Sequence, residues 1–487
     1  MTKELRRLSI VVLFMFLSLF VATSWIQVVS AASLNENPLN RRTLYDSFEV
    51  QRGSIIAGGQ EIATSTASND IYAWQRQYAS PELWSTVTGY MNPVLQSVTG
   101  LEQAMNQELS GQAASAFFQR IDQIISGQDP RGSSIELSLD PAAQQAAYDA
   151  MTSRGYTGAV VAIEPSTGRI LAMLSTPGYD TNQLAVHDSD AVNATYDALE
   201  ADALEPLQNR AIAGDLYPPG STFKLITVSA AIASGDYTMD SKLPNPASYE
   251  LPGSSHVVRN ATGGTCGSGD EVTLHDAIRL SCNVPMAELA VELGDDAIRA
   301  AAEKYGFNQS FTTPLPSTAS SYPELDDDAQ TALTGFGQGQ VQATPLQIAM
   351  LAAGIANDGL VMNPWMVDDV IGSDLSVQQT FEPSQFGQAL DADLADAIAD
   401  AMTASVQDGA ATNARIDGVE VAGKTGTAET PNDGPYTLWF TGFAPADDPQ
   451  VAVAVVVEDG GGQGQSGSGN TIAAPVAKEV MEAVLGR

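Results

Sequence analysis

The hydrophobic and polar positions of the chain divide it into stretches of different period. Residues 8 to 30 carry no charge and follow Lys3, Arg6 and Arg7. An apolar run of that length spans the ~30 Å hydrocarbon core of a bilayer, with its basic end held on the cytoplasmic side. It predicts a retained single-pass anchor over residues 8–30, a cytoplasmic tail over 1–7 and an extracytoplasmic body. Val29-Ser30-Ala31 resembles a small-residue cleavage site, so a signal peptide is the rival reading, although the apolar region of a signal is typically only ~7–15 residues. Polar Asn35 to Arg42 then reads as a tether. Short apolar runs at Ser54 to Ala57 and Ile71 to Trp74, with helical spacing from Leu101 to Ile125, predict a small separate module over residues 31–135.

From residue 136 the period alternates between two and 3.6. Ser133 to Asp140 alternates like a strand and is followed by a helix, Pro141 to Met151. Gly158 to Glu164 and Arg169 to Leu174 read as a hairpin whose turn needs the positive φ that Gly168 supplies. The acidic stretch Asp188 to Glu205 reads as a surface loop. Helical signals dominate from Ser221 to about residue 410. Among them Thr344-Pro345-Leu346-Gln347 has the form of a capping box, Asn357-Asp358-Gly359 supplies a stop, and Ile348 to Ala356 between them is apolar enough to be buried. After Gly418 strands return at Val419 to Thr427, Tyr436 to Phe443 and Val451 to Val457, joined as an antiparallel meander. Gly460 to Gly469 reads as a flexible surface loop, and Ala473 to Leu485 as a final helix.

Composition narrows the partners. The 487 residues are 44% hydrophobic, enough for more than one domain, and 58 acidic against 22 basic residues give a net charge of −36. Such a surface suits neither nucleic acid nor an anionic leaflet. The two cysteines, Cys266 and Cys282, fit an oxidising, extracytoplasmic space and are expected to pair; two unpaired buried thiols are the alternative. The three histidines show no ligand spacing, so no metal site and no cofactor is implied.

The candidate chemistry begins at Tyr217-Pro-Pro-Gly-Ser-Thr-Phe-Lys224. Two prolines and a glycine halt the chain before an apolar helical run, Leu225 to Ala233, so Ser221 falls at a helix N-terminus. Lys224, three residues on, shares its face. A neutral amine there can take the serine proton, but moving a lysine pKa from ~10.4 to the ~7–8 useful for a base requires roughly 4 kcal/mol from burial or a neighbouring cation. Ser-x-x-Lys is weak by itself, yet the chain has six lysines and only this match. Ser281-Cys282-Asn283 is one of three Ser-x-Asn triplets, and Lys424-Thr425-Gly426-Thr427 holds the one Lys-Thr-Gly.

The order Ser-x-x-Lys, Ser-x-Asn, Lys-Thr-Gly is the signature of class A β-lactamases and penicillin-binding proteins. With Asn209-Arg210-Ala211, Gly337-Gln338-Gly339, Trp439-Phe440-Thr441-Gly442 and Arg52-Gly53, the chain resembles class B penicillin-binding proteins over most of residues 40 to 487. The segment from Asn37 to Gly53 is similar to the actinobacterial penicillin-binding protein A type. The resemblance implies an α+β fold, a five-stranded antiparallel sheet flanked by helices with an all-helical subdomain, over residues 136–487. It implies Ser221 as the acylated nucleophile, Lys224 as its base, Ser281 as proton relay, Asn283 as an orienting group and Lys424 as the second cation. Thr425, Gly426 and Thr427 would bind the substrate carboxylate and carbonyl. The reaction implied is D,D-transpeptidation of peptidoglycan stem peptides, inhibited by β-lactams, with a membrane glycosyltransferase of the shape, elongation, division and sporulation type as an implied partner. One conflict stands: strand alternation sends Lys424 and Gly426 to one face and both threonines to the other. The rivals are a D,D-carboxypeptidase, in which water replaces the acceptor amine, a β-lactamase, and a non-catalytic β-lactam-binding scaffold or sensor. No Glu-x-x-x-Asn lies between Asn283 and Lys424, which disfavours the β-lactamase.

Overall fold

A computed structural model describes residues 3–30, 48–113, 131–214, 216–261, 263–430 and 434–487. The tether read at Asn35 to Arg42, Ala31 of the cleavage-like triplet and the far part of the helix expected up to Ile125 lie outside these residues. At the N-terminus an α-helix, Lys3–Ser24, continues into a π-helical turn, Trp25–Val29. The 25-residue helical stretch Lys3–Gln27 contains an 18-residue window of mean hydropathy 2.3, none of it buried against the protein. At 1.5 Å per residue the stretch reaches about 37 Å, which crosses a bilayer core.

The body is built on two sheets. The larger core surrounds five antiparallel strands in the order Ala422–Ala428, Thr437–Ala444, Val451–Val457, Gly158–Ile163, Ile170–Thr176. The middle strand shows why the sheet is a layer between two others. Its alternate residues Ala452, Ala454 and Val456 enter one hydrophobic cluster, while Val451, Val453, Val455 and Val457 enter the other. Period two thus feeds both faces with apolar side chains, as a strand covered on both sides requires. Helices Pro141–Thr152 and Ala473–Val484 cover one face, and Pro345–Ala356 packs on the other. Thr344 Oγ1 accepts from Gln347 N at 3.1 Å, so the cap forms, but the Gln347 side chain donates to Tyr305 O instead of closing the box.

Six strands form the second sheet, in the order Val377–Thr380, Val367–Ile371, Ser134–Leu137, Ile55–Ala57, Gln60–Ala67, Trp74–Tyr78. Ile55–Ala57 and Ser134–Leu137 are parallel. The expected boundary at 135 falls inside a strand, and two strands return from far down the chain to complete this sheet. Within the described residues, the start of the helix expected from Leu101 is two short pieces, Gly100–Ala104 and Asn106–Leu109, broken at Met105.

Two further readings are corrected. Asp188 to Glu205 holds an α-helix, Ser189–Glu200, started by Asp188 accepting from Ala191 N at 2.8 Å and fastened by buried Val192 beside Tyr90, Tyr179 and Leu184. Gly460 to Gly469 forms defined 3-10 turns, and added Cβ atoms at Gly467 and Gly469 would meet backbone oxygens at 2.5 and 2.2 Å. Between residues 224 and 334 the helical subdomain also carries two short antiparallel pairs, Lys242–Pro244 with Glu271–Thr273 and Ser248–Glu250 with Val257–Arg259.

Candidate active site

Ser221 lies in a 3-10 turn, Gly220–Phe223, that runs straight into the α-helix Lys224–Ala233. Gly220 has φ 54°, and a Cβ there would sit 3.1–3.2 Å from the backbone of Thr427 and Ala428. The turn is therefore pressed against the Lys-Thr-Gly strand by the absence of a side chain. Lys224 is fully buried. Its Nζ donates to Ser281 O at 2.8 Å and Asn283 Oδ1 at 2.7 Å, and lies 3.3 Å from Ser281 Oγ. Lys424, also fully buried, donates to the same Ser281 Oγ at 2.7 Å and to Thr425 O at 2.9 Å. One hydroxyl thus bridges two amines. Among the described residues neither lysine has a carboxylate partner. Burial, and after it the Lys424 charge, pushes the Lys224 pKa well below its ordinary value, and burial brings Lys424 down to about 7.

Ser281 reaches this position through its backbone. It adopts φ 61°, rare for a residue with a side chain, at the end of the helix Leu274–Arg279. Ser281 N donates to Ile278 O at 3.1 Å and Cys282 N to Ala277 O at 2.9 Å, which closes the turn. Asn260 Oδ1 accepts from Asn283 N at 2.9 Å and Val284 N at 3.1 Å, satisfying two donors at the start of the next helix, Val284–Leu293. Cys282 is bonded to Cys266 with Cα atoms 5.5 Å apart, and Asn245 grips Cys266 through both its N–H and its carbonyl. Asn260 and Asn245 carried no signal in the sequence, because the groups they hold are more than twenty positions away.

Lys424 to Thr427 lie on an edge strand that, among the described residues, pairs only with Thr437–Ala444. The alternation persists. Lys424 turns to Ser281, and a Cβ at Gly426 would meet Trp439 Cβ at 2.8 Å and Pro219 O at 3.0 Å, on the serine side. Thr425 Oγ1 donates to Ala410 O at 3.3 Å, and Thr427 Oγ1, half-buried, accepts from Gly469 N at 3.4 Å. The two threonine hydroxyls are thus held by the loop after Asp408 and by the glycine-rich turns, neither of which the sequence pointed to.

Residues 158–482 match the model of the penicillin binding protein transpeptidase domain, and residues 52–135 that of the penicillin binding protein A dimerisation domain. The chain belongs to the penicillin-binding transpeptidase family. It is 39% identical over 492 aligned positions to the peptidoglycan D,D-transpeptidase PbpA of Mycolicibacterium smegmatis, covering 100% of this chain and 99% of that one. The protein of the same name from Mycobacterium tuberculosis is 38% identical with the same coverage. Among solved structures, the ceftriaxone acyl-enzyme complex of penicillin-binding protein A from M. tuberculosis superposes with a TM-score of 0.87 at 38% identity, covering 91% of this chain and 100% of that one.

Within this transpeptidase family site, the motifs beyond the three signatures have geometric work. Gly337, at φ 81°, accepts at its carbonyl from Gly220 N at 2.9 Å, and a Cβ on it would lie 1.8 Å from Gly220 O. It supports the serine turn from behind. Trp439 Nε1 donates to Pro218 O at 3.0 Å, holding the same turn to the sheet.

Proposed function

We propose that this protein is a peptidoglycan D,D-transpeptidase that cross-links stem peptides through an acyl-enzyme on Ser221. The observation that carries the reading is the pair of buried lysines without a carboxylate, joined through Ser281 and set at the start of the serine helix. An uncharged amine has two N–H bonds. Ser281 O and Asn283 Oδ1 take the two shortest contacts of Lys224 Nζ, which leaves its lone pair for the Ser221 proton.

Neutral Lys224 takes that proton as Ser221 Oγ bonds to the penultimate D-alanine carbonyl carbon. The backbone N–H groups of Ser221 and Thr427 receive the oxyanion, each donor being worth roughly 3–4 kcal/mol in related chemistry. The C–N bond to terminal D-alanine then breaks. Its nitrogen takes a proton through Ser281, which is resupplied by the lysines on either side, and D-alanine leaves. An amine of a neighbouring stem attacks the ester, forms the cross-link and returns the proton and electron pair to Ser221. The edge of the strand Ala422–Ala428 accepts the donor peptide as an added strand, with the substrate carboxylate at Thr425 and Thr427, while Gly426 between them lets the strand lie close to the serine turn. A β-lactam carbonyl presents the same electrophile, so β-lactams acylate Ser221.

The apolar N-terminal helix fits a single-pass anchor. Lys3, Arg6 and Arg7 support a cytoplasmic tail and an extracytoplasmic catalytic body. The class B resemblance supports a membrane glycosyltransferase of the shape, elongation, division and sporulation type as a partner. The deciding experiment is mass spectrometry of the purified protein with a stem pentapeptide, with and without an acceptor amine. Cross-linked product with D-alanine release is expected. D-alanine release alone, with or without acceptor, marks a carboxypeptidase, and no turnover with retained penicillin labelling marks a non-catalytic binder.

A further inference from the structure

The segment that delivers Ser221 to the site is anchored by a carboxylate outside the three signatures. Glu458 follows the last residue of the strand Val451–Val457, at the end of the sheet where Thr427, Leu438 and Val457 lie in register. Its Oε1 accepts from Tyr217 OH at 2.6 Å and from Arg210 Nε at 2.9 Å. Tyr217 stands four residues before Ser221 and is 8% exposed, with its ring edge-on to Trp439 at 6.0 Å. Arg210 is buried to 4%, and its two other nitrogens donate to Leu204 O at 2.7 Å and Glu205 O at 3.1 Å. Both donors are therefore fixed before they reach Glu458, and the carboxylate gathers them at the sheet end that faces the serine turn.

The turn needs such a hold. A Cβ on Gly220 would lie 3.1–3.2 Å from the backbone of Thr427 and Ala428, a tight approach, and in the transpeptidase reading one oxyanion donor comes from each side of it, Ser221 N on the turn and Thr427 N on the strand. A shift of the turn by a fraction of an ångström misaligns these donors without removing any reacting group. Trp439 Nε1 holds Pro218 and Gly337 holds Gly220, while the Tyr217 side chain is tied to the strand that follows in the sheet.

We propose that Glu458, with Tyr217 and Arg210, is a positioning residue for acylation: its carboxylate sets the distance between the serine turn and the Lys-Thr-Gly strand, and so the rate of the covalent step more than the affinity for the ligand. The inference rests on the transpeptidase reading above. None of the three residues touches substrate in that reading.

The test is stopped-flow acylation by a fluorescent penicillin, with the first-order acylation constant and the pre-covalent dissociation constant separated, beside a thermal melt of each variant. Wild-type protein must label at Ser221; if it does not, the transpeptidase reading fails and this inference is not yet reached. Tyr217→Phe keeps the ring and removes the hydroxyl that donates to Glu458. It is expected to lower the acylation constant about tenfold, a change of ~1.4 kcal/mol in barrier, with the dissociation constant changed less than twofold. Glu458→Ala should do the same or more. Glu458→Gln keeps an acceptor oxygen for both donors and should recover most of the rate. A Glu458→Ala protein that does not fold leaves Tyr217→Phe and Glu458→Gln to decide. Unchanged acylation constants in folded Tyr217→Phe, a loss confined to the melting temperature, or Gln behaving no better than Ala would each overturn the proposal.

Discussion

Two places in this molecule bury a pair of cations, and they are built in opposite ways. In the N-terminal module Arg52 and Arg76 both point at Glu102, with Nε to carboxylate distances of 2.9 and 2.5 Å, and Arg52 also donates to Glu102 O at 2.7 Å. Burial raises the Glu102 pKa, but the two guanidinium charges outweigh it and hold the carboxyl below its ordinary range. The carboxylate therefore stays ionised and locks the helix that starts at Gly100 to the strand carrying Arg76 and to Arg52, just before the strand Ile55–Ala57. In the transpeptidase body Lys224 and Lys424 have, among the described residues, hydroxyl, amide and carbonyl oxygens for company; burial lowers their pKa values as it lowers that of Arg52, but no carboxylate opposes it as Glu102 does there. Arginine suits the first arrangement because it does not give up its proton, and lysine suits the second because it does. A counter-ion suits a structural cation; withholding one suits the base proposed at Lys224.

Mutation separates the two sites by what it damages. Lys224→Ala removes the proposed base, and general-base catalysis contributes typically 10²–10⁴-fold, so the acylation constant with a fluorescent penicillin should drop by that order with little change in melting temperature. Glu102→Ala leaves two buried guanidinium groups without their anion, a loss of the order of 3–5 kcal/mol, while acylation of the protein that remains folded should stay within about threefold. Denaturant unfolding read beside penicillin labelling checks both. A large loss of acylation in folded Glu102→Ala, or a stability loss without a rate loss in Lys224→Ala, would break the contrast.

Much of the catalytic region was legible because its signals are local. Ser221 and Lys224 share a turn, the apolar stretch Val451 to Val457 reads as a strand, and Thr344 caps its own helix. The N-terminal module was far less so. Its sheet is completed by Val367–Ile371 and Val377–Thr380, and its central carboxylate, Glu102, gains meaning only from arginines 50 and 26 positions away. The helix Ser189–Glu200 had a readable apolar face, Val192, Tyr196 and Leu199, but its acidic composition suggested a loop. The glycine-rich turns misled for a related reason. Glycine signals freedom when read alone, whereas at Gly469 it permits the approach to Trp439 O and Gly426 O that brings its N–H to Thr427.

A smaller effect belongs to the disulfide, which fastens the residue between Ser281 and Asn283 to Cys266, sixteen positions earlier. In the chain-entropy account, a loop of about 15 residues is worth about 3 kcal/mol. Cys266→Ser/Cys282→Ser together should lower stability by up to that amount and slow acylation several-fold by loosening Ser281, leaving the labelled residue as Ser221. Peptide mapping of the labelled protein and a denaturant melt measure both. An acylation constant equal to wild type would show that Asn260 and the left-handed turn hold Ser281 unaided.

The smallest effect tests the lysine pair as a pair. The base must be neutral, so the acylation constant should be flat on the alkaline side and fall as pH drops through the lysine values, near about 7 for Lys424. Folding carries the same sign. A lysine whose folded pKa lies below the ~10.4 of an unfolded chain binds fewer protons when folded, so for Lys424 stability rises with pH between about 7 and ~10, is lost as pH falls through that window, and levels off below it. Lys424→Met keeps the bulk and removes the charge. Burial is the leading cause of the Lys224 shift and the Lys424 charge the second, so the variant should move the acid limb of the acylation profile to higher pH by the lesser part of the whole displacement. Near neutral pH this leaves less of Lys224 unprotonated, and the rate falls although the base itself is intact. A limb that does not move would assign the Lys224 shift to burial alone. A limb that moves to lower pH would mean that Lys424 stabilises the Lys224 proton through Ser281, and the contrast with the arginine pair would then rest on hydrogen bonding instead of charge.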